Sequence, residues 1–175
     1  MKLRPLAGFA LVALVAAAFA AEETAAPAPD VPYPDGYRAW QHVSSGVLQP
    51  MKNAADSPPK KEAMPAPHGL LANIYANDKA VEGYRTGHFP EGAMLAVDWF
   101  VLEPRGPELL EGPRKSINVM IRDARYAATG GWGFEDFDKD SHTTRNVGAN
   151  AVKMCFECHQ KYASDHELVF TRLKL

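Results

Sequence analysis

The chain has 175 residues, with 19 Lys and Arg against 21 Asp and Glu, for a formal net charge of −2. That near-balance, with no basic run, excludes the electrostatic footprint of a nucleic-acid binder. The length suits one domain with a real core, and two cysteines allow at most one internal disulfide.

Lys2 and Arg4 precede an apolar run from Leu6 to Ala18, and Ala18-Phe19-Ala20 supplies the small residues that signal peptidase requires. The run falls short of the ~20 residues that span a bilayer. Residues 1–20 therefore read as a cleaved export signal, leaving about 155 residues. No second apolar span follows, so the mature protein is expected to be soluble, periplasmic and not membrane-spanning. "AEETAAPAPDVPYPDG" is rich in Ala, Pro and acids. Residues 21–35 read as a flexible leader, and 36–175 as the folded domain.

"DGYRAWQHVSSGVL" predicts a short helix running into a strand, and "NAADSPPKKEAMPAP" a Pro- and Lys-rich exposed loop. "HGLLANIYA" is strand-like, with Ile74 and Tyr75 suited to a pleated surface. Asn77 or Asp78 can cap a helix over "KAVEGYRTG", ended by Gly87. In "AMLAVDWFVLE" one strand face is Ala93, Leu95, Val97, Trp99 and Val101. Asp98 falls on the other face, toward solvent or a partner subunit. "KSINVMIRDARYA" alternates as well, with Ile117, Val119 and Ile121 together. "GWGFEDFD" puts Trp132, Phe134 and Asp136 on one side. "ANAVKMCFECHQKYA" reads as a helix and "ELVFTRLKL" as a last extended segment. Four or five β-segments against two or three helices, without a repeat, give an α+β fold with an antiparallel sheet.

Both cysteines lie in "MCFECHQ". Cys155 and Cys158 could form a plain disulfide in an exported protein. A redox loop of the thioredoxin kind normally opens a helix after a buried strand, whereas "TTRNVGANAVK" upstream is polar. Zinc lacks a second ligand pair. Cys-x-x-Cys-His also reads as attachment of c-type haem. Residues three apart share a helix face, so Cys155 and Cys158 can reach the two vinyl groups of one porphyrin edge, with His159 as proximal iron ligand. Thioether attachment keeps haem on a periplasmic protein in either redox state, and the export signal favours this reading. Many small c-type cytochromes carry the motif near the front and a methionine ligand behind it. Here sixteen residues follow His159, and none is methionine. A sixth ligand must come from upstream or be absent.

Four stretches in order resemble the cytochrome P-460 family, which includes the cytochrome c′-beta proteins: "YPDGYRAWQHV", "IYANDKAVEGYRTGHFPEGAMLAVDWF", "GGWGFEDF" and "CFECHQKYASDHELVFTRL". The resemblance implies a monohaem c-type cytochrome: an antiparallel-sheet α+β domain with a C-terminal haem-attachment helix, commonly a homodimer, with five-coordinate iron open to small ligands. In the hydroxylamine-oxidising members, a lysine on the strand after the "FPEG"-like turn is linked to the porphyrin. Read in register from Phe89 and Gly92, Val97 stands there. Ala72 stands where those enzymes carry a distal arginine.

The resemblance thus implies an apolar pocket formed by Leu71, Ala72, Leu95 and Val97, without arginine, lysine or carboxylate. Hydroxylamine oxidation releases protons and needs a base nearby, so such a pocket favours the c′-beta branch, which binds nitric oxide and carbon monoxide. Arg172 could pair a haem propionate or simply lie at the surface. Phe89 and Trp99 wall the haem or fill the core. His42, His68, His88, His142 and His166 read as surface or hydrogen-bonding residues, and Met64, Met94 and Met120 as core fillers. The leading expectation is a haem c protein that captures a diatomic gas and passes electrons to a redox partner. A hydroxylamine-oxidising enzyme and a plain electron carrier with saturated iron are the alternatives.

Overall fold

The computed structural model describes residues 29–50 and 66–174. The expected export signal at residues 1–20, residues 21–28 of the expected leader and most of the Pro- and Lys-rich stretch lie outside the described residues.

Five strands form one antiparallel sheet in chain order: β1 (Gln41–Leu48), β2 (Leu70–Ala76), β3 (Met94–Arg105), β4 (Glu108–Arg122) and β5 (Trp132–Asp138). Every strand therefore pairs with its neighbour in sequence. A one-turn helix at Tyr37–Ala39 leads into β1, as the sequence predicts. A bulge lies between His42 and Ser44. It leaves Val43 as an extra residue, which the strand turns into the core.

Helix α1 (Asp78–Thr86) joins β2 to β3. Asn77 caps it and does more. Its Oδ1 accepts from Ala80 N at 2.9 Å and from Met94 N at 3.0 Å, while its Nδ2 donates to Gly92 O at 2.9 Å. One side chain thus satisfies the helix start and ties it to the start of β3. Gly87 ends the helix in the left-handed region at φ 79°. Within α1, Gly83 lies against Phe89, and a Cβ there would stand 2.3 Å from the ring. Only glycine allows that approach.

The two sheet faces bury different cores. Ala76, Leu95, Trp132 and Phe134 pack with Ala80, Phe89 and Val169 on one face. Ala96, Ile117, Val119 and Phe137 pack with Val31, Tyr37 and Tyr126 on the other.

Three expectations change. The leader does not stay loose up to residue 35: Val31 is 5% exposed, Pro34 is fully buried, and Tyr33 stacks on His142 with ring centroids 3.7 Å apart. Asp98 faces neither solvent nor a partner. It is fully buried and accepts hydrogen bonds from Tyr37 Oη at 2.5 Å, Arg38 Nη2 at 2.9 Å and Arg114 Nε at 2.6 Å. Both guanidinium groups stack on Phe100, at 5.3 and 5.1 Å. Two flanking arginines make the buried carboxylate tolerable. Burial, together with the Asp98 hydrogen bond, pushes the Tyr37 phenol up to about 12. Finally, the segment read as extended, "ELVFTRLKL", joins no strand of the sheet over its described residues. After α2 (Glu157–Ala163) and a short turn at Ser164–His166, the chain runs irregularly, with Glu167 and Leu168 at φ 49° and 70°.

Candidate functional site

The face that carries the Leu95–Phe134 core continues along the strands into a cavity of about 740 Å³. Its floor is set by the sheet register. Ile74, Val97, Asn118 and Asp136 form one cross-strand row, and Ala72, Trp99 and Ser116 the next. The segment that follows β5 closes the opposite side with Cys155, His159, Val169 and Phe170. A cavity of that size lies in the range of cofactor pockets.

The motif helix is not uniformly α-helical. Val152–Phe156 form a π-turn, and α2 follows at once. Such wider turns recur at functional sites. Cys155 and His159 line the cavity, whereas Cys158 is exposed and lies outside its wall.

Two phenyl rings pack at a tilt against His159, Phe134 at 4.9 Å and Phe170 at 4.6 Å between centroids. Burial lowers its pKa, opposed in part by a hydrogen bond from Nδ1 to Leu168 O at 2.7 Å. A carbonyl oxygen can only accept, so the proton sits on Nδ1. The neutral ring then offers the Nε2 lone pair to a metal, the protonation state that an iron ligand requires.

The cytochrome P460 family profile matches residues 34–171. The chain belongs to that family. Comparison with curated proteins finds no match. Membership implies a haem c protein and a monohaem cytochrome fold, and the five-stranded antiparallel sheet with its two α-helices agrees with the α+β class read from the sequence. The donor set also fits the group. An imidazole with one nitrogen committed to a carbonyl stands beside a thiol on the wall of a porphyrin-sized cavity.

As a cytochrome P460 family member, the chain brings together six residues picked out from sequence: Ala72, Leu95, Val97, Trp99, Cys155 and His159. Leu71 does not join them. Leu70, Ala72 and Ile74 line the cavity, so strand alternation sends Leu71 to the opposite face, in register with Phe100. Arg172 is exposed and lies outside the wall, donating to its neighbour's carbonyl, Thr171 O, at 3.3 Å.

The expectation of an apolar pocket without a carboxylate is also corrected. Asp136 lines the cavity, two strands away from Val97 with Asn118 between them. At the ordinary strand spacing that is about 10 Å. Asn146 Nδ2 donates to Asp136 Oδ1 at 3.3 Å. Lys115 lines the cavity as well. Glu135 borders it too, but alternation points its side chain the other way, where it meets Arg145, Val147 N and Gly148 N. The signal for Asp136 was present in "GWGFEDFD", whose alternation already set it beside Phe134. What the sequence left out was which face of that strand the cavity occupies.

Proposed function

We propose that the chain is an exported haem c protein whose cavity admits a small diatomic gas, nitric oxide foremost. Cys155 and Cys158 carry the porphyrin through thioether bonds, and His159 binds the iron through Nε2. When bound, haem c supplies a redox-active iron with affinity for nitric oxide and carbon monoxide. The rest is the chain's own contribution. Leu168 O fixes the imidazole's tautomer and orientation, and the Phe134 and Phe170 rings pack against it. Val97 supports the gas-binding reading most directly. It stands on the cavity floor where the hydroxylamine-oxidising relatives are expected to carry their cross-linking lysine.

Absorption spectra of the purified holoprotein test this reading, in the ferric and ferrous states and in the ferrous state with carbon monoxide. A five-coordinate, high-spin ferrous spectrum that shifts with carbon monoxide is the expected result. A colourless protein from a host able to mature c-type cytochromes would overturn it, as would a low-spin ferrous spectrum indifferent to carbon monoxide.

Asp136 favours a second reading, oxidation of hydroxylamine. That reaction must shed protons, and a half-buried carboxylate on the cavity wall is a candidate acceptor. This reading expects turnover with an artificial electron acceptor, abolished in Asp136→Asn while the spectra stay unchanged. Absence of turnover in the wild type removes it.

A further inference from the structure

The hydrogen bond from His159 Nδ1 depends on where Leu168 O points, and the backbone there is unusual. Glu167 and Leu168 are consecutive non-glycine residues in the left-handed region, at φ 49° and 70°. Side chains with a Cβ are disfavoured in that region by contact with the following carbonyl oxygen, so the surroundings must hold the pair in place. Two backbone bonds contribute: Leu168 N donates to Ala163 O at 2.9 Å and Val169 N to His166 O at 3.0 Å. The third hold comes from a distant part of the chain. The Glu167 carboxylate accepts from Phe89 N at 2.8 Å through Oε2 and meets His88 Nδ1 at 2.6 Å through Oε1.

Phe89 is a firm anchor. It is 4% exposed, edge-on to Trp132 at 5.5 Å and to Tyr84 at 5.2 Å, and pressed against Gly83. Its amide therefore presents a fixed donor at the turn that enters β3. The chain of contacts runs from that turn through the Glu167 carboxylate and the Leu168 carbonyl to His159 Nδ1.

We propose that Glu167 is a positioning residue for His159, fixing the Leu168 carbonyl on Nδ1 by tying the left-handed turn to Phe89 N. This rests on the reading of His159 as the iron ligand. A well-held acceptor on Nδ1 draws the proton away from the ring and makes Nε2 the stronger donor. Stronger donation favours ferric iron and stiffens the iron–histidine bond. Relaxing the turn should do the reverse.

The test compares Glu167→Gln with Glu167→Gly in the haem-loaded protein. Glutamine keeps an acceptor for Phe89 N, whereas glycine removes it but tolerates φ 49° without strain. The readouts are the iron–histidine stretching band of the ferrous protein by resonance Raman and the midpoint potential. Glu167→Gly should lower the band frequency and raise the potential, and Glu167→Gln should match the wild type in both. Unchanged values in Glu167→Gly overturn the proposal, as do equal shifts in the two variants. Should Glu167→Gly fail to take up haem, Glu167→Asp carries the same test, being one methylene too short to reach Phe89 N from the same backbone. A wild type with no iron–histidine band at all would instead overturn the haem reading itself.

Discussion

Asp98 and Asp136 show what a carboxylate does on either side of one sheet. Asp98 lies on the face away from the cavity and is paired with Arg38, Arg114 and Tyr37. Asp136 lies on the cavity face, half-buried, and accepts from Asn146 Nδ2 at 3.3 Å. Removing the first strands a mostly buried Arg114 without its main partner. Breaking such a pair costs about 3 kcal/mol. Asp98→Ala is therefore expected to lose about that much in urea unfolding, yet to keep the haem absorption spectrum of the wild type, because the sheet separates it from the site. A spectral change would mean that the two faces communicate. At this scale the sequence was informative about chemistry and poor about direction. Cys155, His159, Val97 and Ala72 reached the cavity wall; Leu71 was aimed at the wrong face, and Asp98 was given the right face but solvent or a partner subunit in place of its buried arginine pair. A single residue of register reverses which face a side chain occupies, and alternation alone does not say which face is covered by what.

At the scale of elements, α1 and its flanks were the most legible part of the chain. Asn77, Gly87 and the apolar spacing between them each have a local physical meaning, and the helix begins and ends where they indicate. The sequence did not indicate that Asn77 also binds Met94 N and Gly92 O. A cap alone is worth about 1 kcal/mol. With two further hydrogen bonds lost at a strand start, Asn77→Ala is expected to cost about 2–3 kcal/mol, measured by thermal or urea unfolding. Asn77→Asp keeps both bonds accepted by Oδ1 and should recover more than half of that. If Asn77→Ala loses only a cap's worth, the tie to β3 carries no weight. The segment after α2 was the least legible element. "ELVFTRLKL" has strand-like composition, but its course is fixed by contacts with Phe89 and His159, far away in sequence.

For the whole molecule, the α+β class and the antiparallel sheet were readable because each strand pairs with its sequence neighbour, so local patterns add up to the topology. The packed stretch around Val31 and Pro34 was missed because its composition resembles a linker, and only burial against Tyr126 and Phe137 shows otherwise. Acid stability is a property at this scale. Burial alone would raise the Glu167 pKa, but the hydrogen bonds from Phe89 N and His88 outweigh it and hold the carboxyl below 4.5. Its contribution is present in full above the unfolded value and is lost as pH falls through the lower folded one. Unfolding free energy should accordingly drop below about pH 4.5, and Glu167→Gln should flatten that part of the profile. An identical acid limb in the variant would show that other carboxylates dominate.

All five described strands precede the Cys155–His159 motif in the chain, and they supply most of the wall of the cavity that Cys155 and His159 face. During vectorial synthesis or passage across a membrane, earlier segments are free to fold first. The strands can thus assemble before either thiol emerges, leaving Cys155 and Cys158 on a segment that has yet to dock.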